Sequence, residues 1–214
     1  MSEILLQTSG LTKKYGHHKA VDHVNIHIKK GAIYGFIGRN GAGKTTCLRM
    51  ISGLAKPTEG EITLFGYQGK ELKEVRSRIG CLIEAPGLYG NMTAYENMKI
   101  KCRLFGISKH GYIEEILDTV GLKDVGKKKT KHFSLGMKQR LAIAQATMED
   151  QDILILDEPM NGLDQEGMEQ MRELFLKFRE EGRTLLFASH NRQDIESLCD
   201  EVYEMNRGEL KRII

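Results

Sequence analysis

The sequence has no tryptophan, only three prolines and only four cysteines in 214 residues, and each shortage narrows what the chain can be. Cys47, Cys81, Cys102 and Cys199 stand far apart and form no Cys-x-x-Cys pair. That usage implies a reduced, cytosolic setting without structural disulfides. No apolar run approaches the roughly 18 residues that a membrane-spanning helix needs. The opening Met1-Ser2-Glu3-Ile4-Leu5-Leu6-Gln7 carries an early acid and lacks the basic region and apolar stretch of a secretory signal. Neither sign of charge is in excess. Against 29 Asp and Glu, 32 Lys and Arg leave a net +3, too weak a bias for a protein that coats nucleic acid. Internal repeats and low-complexity segments are missing too. Hydrophobic residues at 40% and charged residues at 29% exclude a disordered tail. The length suits one domain, or one core with a modest inserted subdomain.

Glycine is what the chain has in surplus, 23 residues against a usual share of about 7%. Many glycines beside few prolines suggest turns that need positive φ, or backbone lying close to a ligand.

Along the chain the hydrophobic pattern switches twice. In Val21–Ile28, apolar Val24, Ile26 and Ile28 alternate with polar His23, Asn25 and His27, which predicts one half-buried strand. Ala32–Ile37 is apolar throughout, as a strand buried on both faces is. A glycine-rich turn follows, then a helix over Lys44–Ile51. Gly60–Phe65 and Ile79–Ile83 read as short strands. Helical spacing then takes over in Thr93–Phe105, His110–Val120 and Ser134–Met148, with Thr93 and Glu96 forming a capping box. Strand and helix alternate again through Ile153–Leu156, Asp164–Glu181, Thr184–Ala188, Asp194–Cys199 and Val202–Met205. Such alternation indicates a parallel α/β sheet. The expected layout is an α/β core, residues 1–83 and 150–214, interrupted by a helical subdomain, 84–149.

Gly38-Arg39-Asn40-Gly41-Ala42-Gly43-Lys44-Thr45 matches G-x-x-x-x-G-K-[ST], with a strand before it and a helix after it. Gly38, Gly41 and Gly43 let the backbone turn so that N–H groups converge on phosphate oxygens, and the helix adds its positive end. Lys44 supplies a point charge to the β- and γ-phosphates, and the Thr45 hydroxyl a ligand for Mg²⁺. Ile153-Leu154-Ile155-Leu156-Asp157-Glu158 is an apolar strand ending in two acids. Asp157 is placed to hold Mg²⁺ through water, and Glu158 to orient or deprotonate the attacking water. Pro159 stops the strand.

With these motifs in order, the sequence resembles the ATPase subunits of ABC transporters over essentially its whole length. The resemblance implies a P-loop NTPase (RecA-like) fold with N-terminal antiparallel strands, and ATP with Mg²⁺ as cofactors. It assigns nucleotide contacts to residues 38–45 and Thr46, and adenine stacking to Tyr15 in Leu11-Thr12-Lys13-Lys14-Tyr15-Gly16. The family's signature, usually Leu-Ser-Gly-Gly-Gln, aligns with Phe133-Ser134-Leu135-Gly136-Met137. This copy departs at Phe133, Leu135 and Met137 but keeps Ser134 and Gly136, the two positions implied to touch phosphate. The Leu-Asp loop is Leu163-Asp164, with Gly162 turning behind the catalytic pair, and the switch histidine is His190. The family implies a head-to-tail dimer in which each signature helix caps the γ-phosphate held by the other copy.

Another departure narrows the branch. Where the family has a glutamine that senses Mg²⁺ and water, this chain has Glu84, in Ile79-Gly80-Cys81-Leu82-Ile83-Glu84. The glutamate, the Glu-Ala-Pro-Gly-Leu-Tyr run and Phe-Ser-Leu-Gly-Met-Lys-Gln-Arg together look like the bacitracin and lantibiotic self-protection branch. A carboxylate in place of an amide adds charge and removes a donor, so Glu84 is expected to approach Mg²⁺ directly. The resemblance implies a homodimeric motor on the cytoplasmic face of a bacterial membrane, exporting a peptide antibiotic through separately encoded permease subunits. The alternatives are a general drug or ion exporter and a non-transport ABC ATPase. Of the remaining features, Lys127–Lys131 reads as a solvated loop, His23 and His27 as the polar face of a strand, and Cys47 as core. Gly60, Gly66 and Gly69 read as plain turn formers.

Overall fold

The computed structural model describes residues 3–84, 87–148 and 151–214. Ala85 and Pro86, in the Glu-Ala-Pro-Gly-Leu-Tyr run, and residues 149–150, at the expected subdomain boundary, lie outside the described residues. The elements in order are β1 (Ile4–Tyr15), β2 (His18–Val24), β3 (His27–Lys29), β4 (Ile33–Ile37), α1 (Lys44–Ser52), β5 (Glu59–Leu64), α2 (Leu72–Val75), β6 (Ile79–Leu82), α3 (Ala94–Phe105), α4 (Tyr112–Thr119), α5 (Leu135–Ala146), β7 (Ile153–Asp157), α6 (Gln165–Glu180), β8 (Thr184–Ser189), α7 (Arg192–Leu198), β9 (Glu201–Asn206) and β10 (Glu209–Arg212).

Among the described residues two sheets form. In one, β1 pairs antiparallel with β2, β3 and β5. The other runs β10-β9-β4-β8-β7-β6 and is parallel except at β10. Every residue of β4, β7 and β8 is buried, as all-apolar strands covered on both faces must be. The α1 helix, the antiparallel sheet and one face of the parallel sheet share one apolar cluster, which includes Leu48, Ile51, Ile155 and Leu186. The other face, with Leu156 and Phe187, joins a second cluster with α3–α6. No helix of the described residues is long and apolar enough to cross a membrane.

Local chemistry fixes the element ends. Thr93 Oγ accepts from the Glu96 N–H while the Glu96 carboxylate accepts from the Thr93 N–H, so α3 starts on the expected capping box. The strand expected over Val21–Ile28 is instead two strands, broken after Val24. Its apolar side is buried as the alternation requires, but threonine hydroxyls of β1 replace ladder bonds at the break. Thr8 Oγ donates to Val24 O at 2.9 Å and accepts from Ile26 N at 3.0 Å, and His23 adopts φ 50°. Buried Thr8 and Thr12 thus fill positions on the inner face of β1.

Gly60 is not the plain turn former expected. It lies within β5 at φ +84°, and a Cβ there would sit 2.3 Å from the Gly10 carbonyl oxygen. Gly66 has the same φ, but nothing lies within 4 Å of its would-be Cβ. Gly66→Ala is therefore expected to cost about 1 kcal/mol, the left-handed penalty alone. Gly60→Ala should cost at least about 2 kcal/mol, because steric overlap with backbone is added to the same penalty. Urea unfolding of the two variants measures the difference.

Candidate active site

The phosphate loop joins the buried end of β4 to the start of α1. Gly43 caps α1 with φ 112° and ψ −1° and no side-chain acceptor, which leaves the first N–H groups of the helix free for an anion. A Cβ on Gly43 would lie 2.2 Å from Ala20 O, and one on Gly38 would lie 2.3 Å from Met205 O. Gly38, unlike Gly43, is needed for close packing on β9 and not for positive φ. Residues 39–46 line a cavity of about 340 Å³ together with Glu158, His18 and Ala20.

Lys44 is buried, and its Nζ donates to Gly38 O at 2.6 Å and lies 3.4 Å from Glu158 Oε1. Thr45 Oγ donates to Asp157 Oδ2 at 2.7 Å. Asp157 Oδ1 is buried without a partner. Burial pushes the Asp157 carboxyl above its ordinary range; the Thr45 hydrogen bond opposes this, and the charges of Glu158 and Glu84 reinforce it. Glu158 sits at φ 49°, with its N–H donating to Ala188 O at 2.9 Å. Its Oε2 lies 2.9 Å from His190 Nδ1 and accepts weakly from the His190 N–H at 3.4 Å. The carboxylate is therefore held between Lys44 and His190, facing the phosphate cavity.

Glu84 follows β6 at φ 68°. Its carboxylate pairs with Arg49 of α1. Tyr15, at the end of β1, is half exposed and opposes His18, which lines the phosphate cavity, across the hairpin. Lys13 Nζ stands 5.2 Å from the Tyr15 ring centroid. Ser134 caps α5 by accepting from Met137 N at 3.2 Å. Asp164 caps α6 by accepting from Gly167 N at 2.8 Å. Ser134, Gly136 and Asp164 line a second cavity of about 350 Å³ with Gly162 and Arg140, which has no lining residue in common with the phosphate cavity.

Sequence reasoning missed His18, Ala20 and Arg49. The hairpin after Tyr15 was a signal for the first two, and the spacing of Arg49 one turn after Thr45 was a signal for the third. Cys47 is fully buried, and burial pushes its thiol up to about 12, as expected of a core residue. Lys127, Lys128, Lys129 and Lys131 are exposed. Among the described residues no cluster of three or more His, Cys, Asp or Glu could hold a metal, His23 and His27 included.

The model of the ABC transporter family matches residues 21–161. The chain belongs to the ABC transporter ATPase family. It is 49% identical over 208 residues to the bacitracin transport ATP-binding protein BcrA of Bacillus licheniformis, covering 96% of this chain and 68% of that one. With the lantibiotic transport ATP-binding protein SrtF of Streptococcus pyogenes it shares 40% identity over 206 residues, 96% of this chain and 89% of that one. Among solved structures, an ATP-binding cassette dimer in a post-hydrolysis state with ADP and Pi superimposes with a TM-score of 0.84 at 26% identity. The match covers 98% of this chain and 99% of that one. The chain is thus an ATP-binding ATPase with the P-loop NTPase fold expected of it.

A pH dependence arises from Asp157. A carboxyl whose pKa is raised by folding binds more protons folded than unfolded, so stability falls as pH rises from about 3.9, the unfolded value, through the folded value. The cost grows with pH until the folded carboxyl is fully ionised. Asp157→Asn, which still accepts from Thr45, is expected to raise the melting temperature at pH 7. That gain should shrink as pH falls toward about 4; thermal unfolding across this range measures it.

Proposed function

We propose that this ABC ATPase is the motor of an exporter of bacitracin-like or lantibiotic peptides, working through separately encoded permease subunits at the cytoplasmic face of the bacterial membrane. The substrate class is supported by the names of the bacitracin and lantibiotic relatives and by Glu84 in place of the family's glutamine. The hydrolytic role rests on one observation, the Glu158 carboxylate held between Lys44 and His190 against the phosphate cavity.

With ATP bound, residues 38–46 cradle the phosphates and Lys44 exchanges carbonyl oxygen for phosphate oxygen. Tyr15 stacks on the base. Glu158 accepts a proton from water, and the water oxygen bonds to the γ-phosphorus as the bond to the bridging oxygen breaks and ADP leaves. His190 keeps Glu158 aimed, and its exposed ring is free to contact the γ-phosphate. The residues fit Mg²⁺. The Thr45 hydroxyl would serve as a hard oxygen ligand, and Asp157 Oδ1, buried without a partner beside it, would accept from a cation-bound water. A Mg²⁺ held by these residues would supply neutralisation of charge on the β- and γ-phosphates.

A second copy docked head to tail supplies Ser134, Gly136 and Asp164 to the nucleotide, which accounts for a cavity at the start of α5 that shares no lining residue with the phosphate cavity. On this reading the chain divides into a core, 1–83 and 150–214, and a helical subdomain, 84–149, that carries the signature.

Glu158→Gln should slow hydrolysis by about 10²- to 10⁴-fold while ATP still binds, and MgATP should shift the variant to a dimer on gel filtration. Only monomer would overturn the two-copy site. Co-expressed with its permease in a sensitive host, the chain should protect against bacitracin or a lantibiotic, and Lys44→Ala should abolish protection. If no peptide in such a panel is resisted, the export of a general drug or ion replaces this reading.

A further inference from the structure

Arg49 has no part in the roles assigned so far, yet it is the ion-pair partner of Glu84. The pairing arises from two registers. In α1, Arg49 lies one turn after Thr45 and so on the same face. In the sheet, β6 runs parallel to β7 with Leu82 opposite Leu156, so the chain leaving β6 carries Glu84 to the level at which the chain leaving β7 carries Glu158. Glu84 therefore stands beside the Thr45–Asp157 contact, close enough for its charge to raise the Asp157 carboxyl. Glu84, Asp157 and Glu158 crowd one end of the sheet, and the cations facing them are Lys44, on Glu158, and Arg49, on Glu84. The Arg49 and Glu84 side chains are 35% and 61% exposed. Exposed pairs of this kind are weak and exchange readily, so a doubly charged cation held at Thr45 with the nucleotide phosphates can take the carboxylate from the guanidinium.

We propose that Arg49 is a positioning residue that competes with the nucleotide's divalent cation for the Glu84 carboxylate, and so sets how much Mg²⁺ the site requires. This rests on the proposed ATPase function. A glutamine at position 84 would carry no charge for Arg49 to hold, so the competition depends on the glutamate in which this chain departs from its family.

The test is binding, read without turnover. In the full chain carrying Glu158→Gln, a fluorescent ATP analogue is titrated with MgCl₂ and the midpoint for Mg²⁺ is recorded. Arg49→Gln should lower the midpoint by roughly twofold to fivefold, and Arg49→Lys should stay near the parent. In a Glu84→Gln background Arg49→Gln should move nothing, because the competing pair is already gone. An equal shift in both backgrounds, or none in either, would overturn the proposal while leaving the ATPase intact. A chain that binds no nucleotide at any Mg²⁺ concentration would overturn the function and this inference together. Both side chains are substantially solvent-exposed, and far-UV circular dichroism checks that each variant is folded.

Discussion

The parallel register of four strands is the constraint on which the rest depends. Ile37 of β4 lies opposite Ser189 of β8, Ala188 opposite Asp157 of β7, and Leu156 opposite Leu82 of β6. Because the strands run the same way and end at one level, the residues beyond their ends emerge side by side: Gly38, Glu158, His190 and Glu84. Ligands of open α/β sheets gather at this carboxyl edge for the same reason. Nothing in the phosphate loop alone would bring a carboxylate and an imidazole to the phosphate; the sheet does, and it can do so only while the apolar strands stay buried on both faces. A slip in register would move Glu158 away from both Lys44 and His190.

That crowding creates the electrostatic problem which the side chains then solve. Asp157 is buried and gains one hydrogen bond, from Thr45, so its charge is costly. Glu158 and Glu84 add like charge nearby. Lys44 answers Glu158 from the buried side, His190 answers it from the solvent side, and Arg49 answers Glu84. The two fixed cations come from a single helix, α1, whose positive end points at the same place. A phosphate chain entering the loop meets backbone N–H groups and Lys44 first, with the carboxylates beyond them, a gradient suited to holding anion and cation together.

How much of this was legible depended on whether a residue's role was local. The capping box at Thr93 and the apolar strands before the phosphate loop and before Asp157 were all readable, since each is a pattern within a few positions. Other features arise from contacts across the chain. The break after Val24 comes from the Thr8 and Thr12 hydroxyls on another strand. These same threonines are buried on β1, the longest strand described, and interrupt its apolar periodicity. Gly60 is needed because Gly10 lies against it, and no spacing rule links the two. Arg49 looked like an ordinary polar position of α1 until the sheet brought Glu84 to it. The phosphate-loop motif was therefore readable position by position, whereas the arrangement of charges around it was not.

Two of these carboxylates share a further property. Glu158 and Glu84 both adopt left-handed backbone, at φ 49° and 68°, and neither is a residue for which that conformation is easy. Each such turn costs on the order of 1–3 kcal/mol and survives only where its surroundings over-determine it. For Glu158 the surroundings are visible: its N–H is fixed on Ala188 O, and its carboxylate is pinned at both ends. The turn makes the chain leave β7 abruptly, so the side chain swings over the strand end and toward the phosphate cavity. An extended continuation would have carried it along the strand axis and out of reach of Lys44. Glu84 repeats the turn on the neighbouring strand, and among the described residues its carboxylate pairs with the exposed Arg49. The first glutamate is thus held from two sides, by Lys44 and His190, whereas the second meets a cation at a half-exposed pair, so the two carboxylates at the same sheet edge differ in burial as well as in partner.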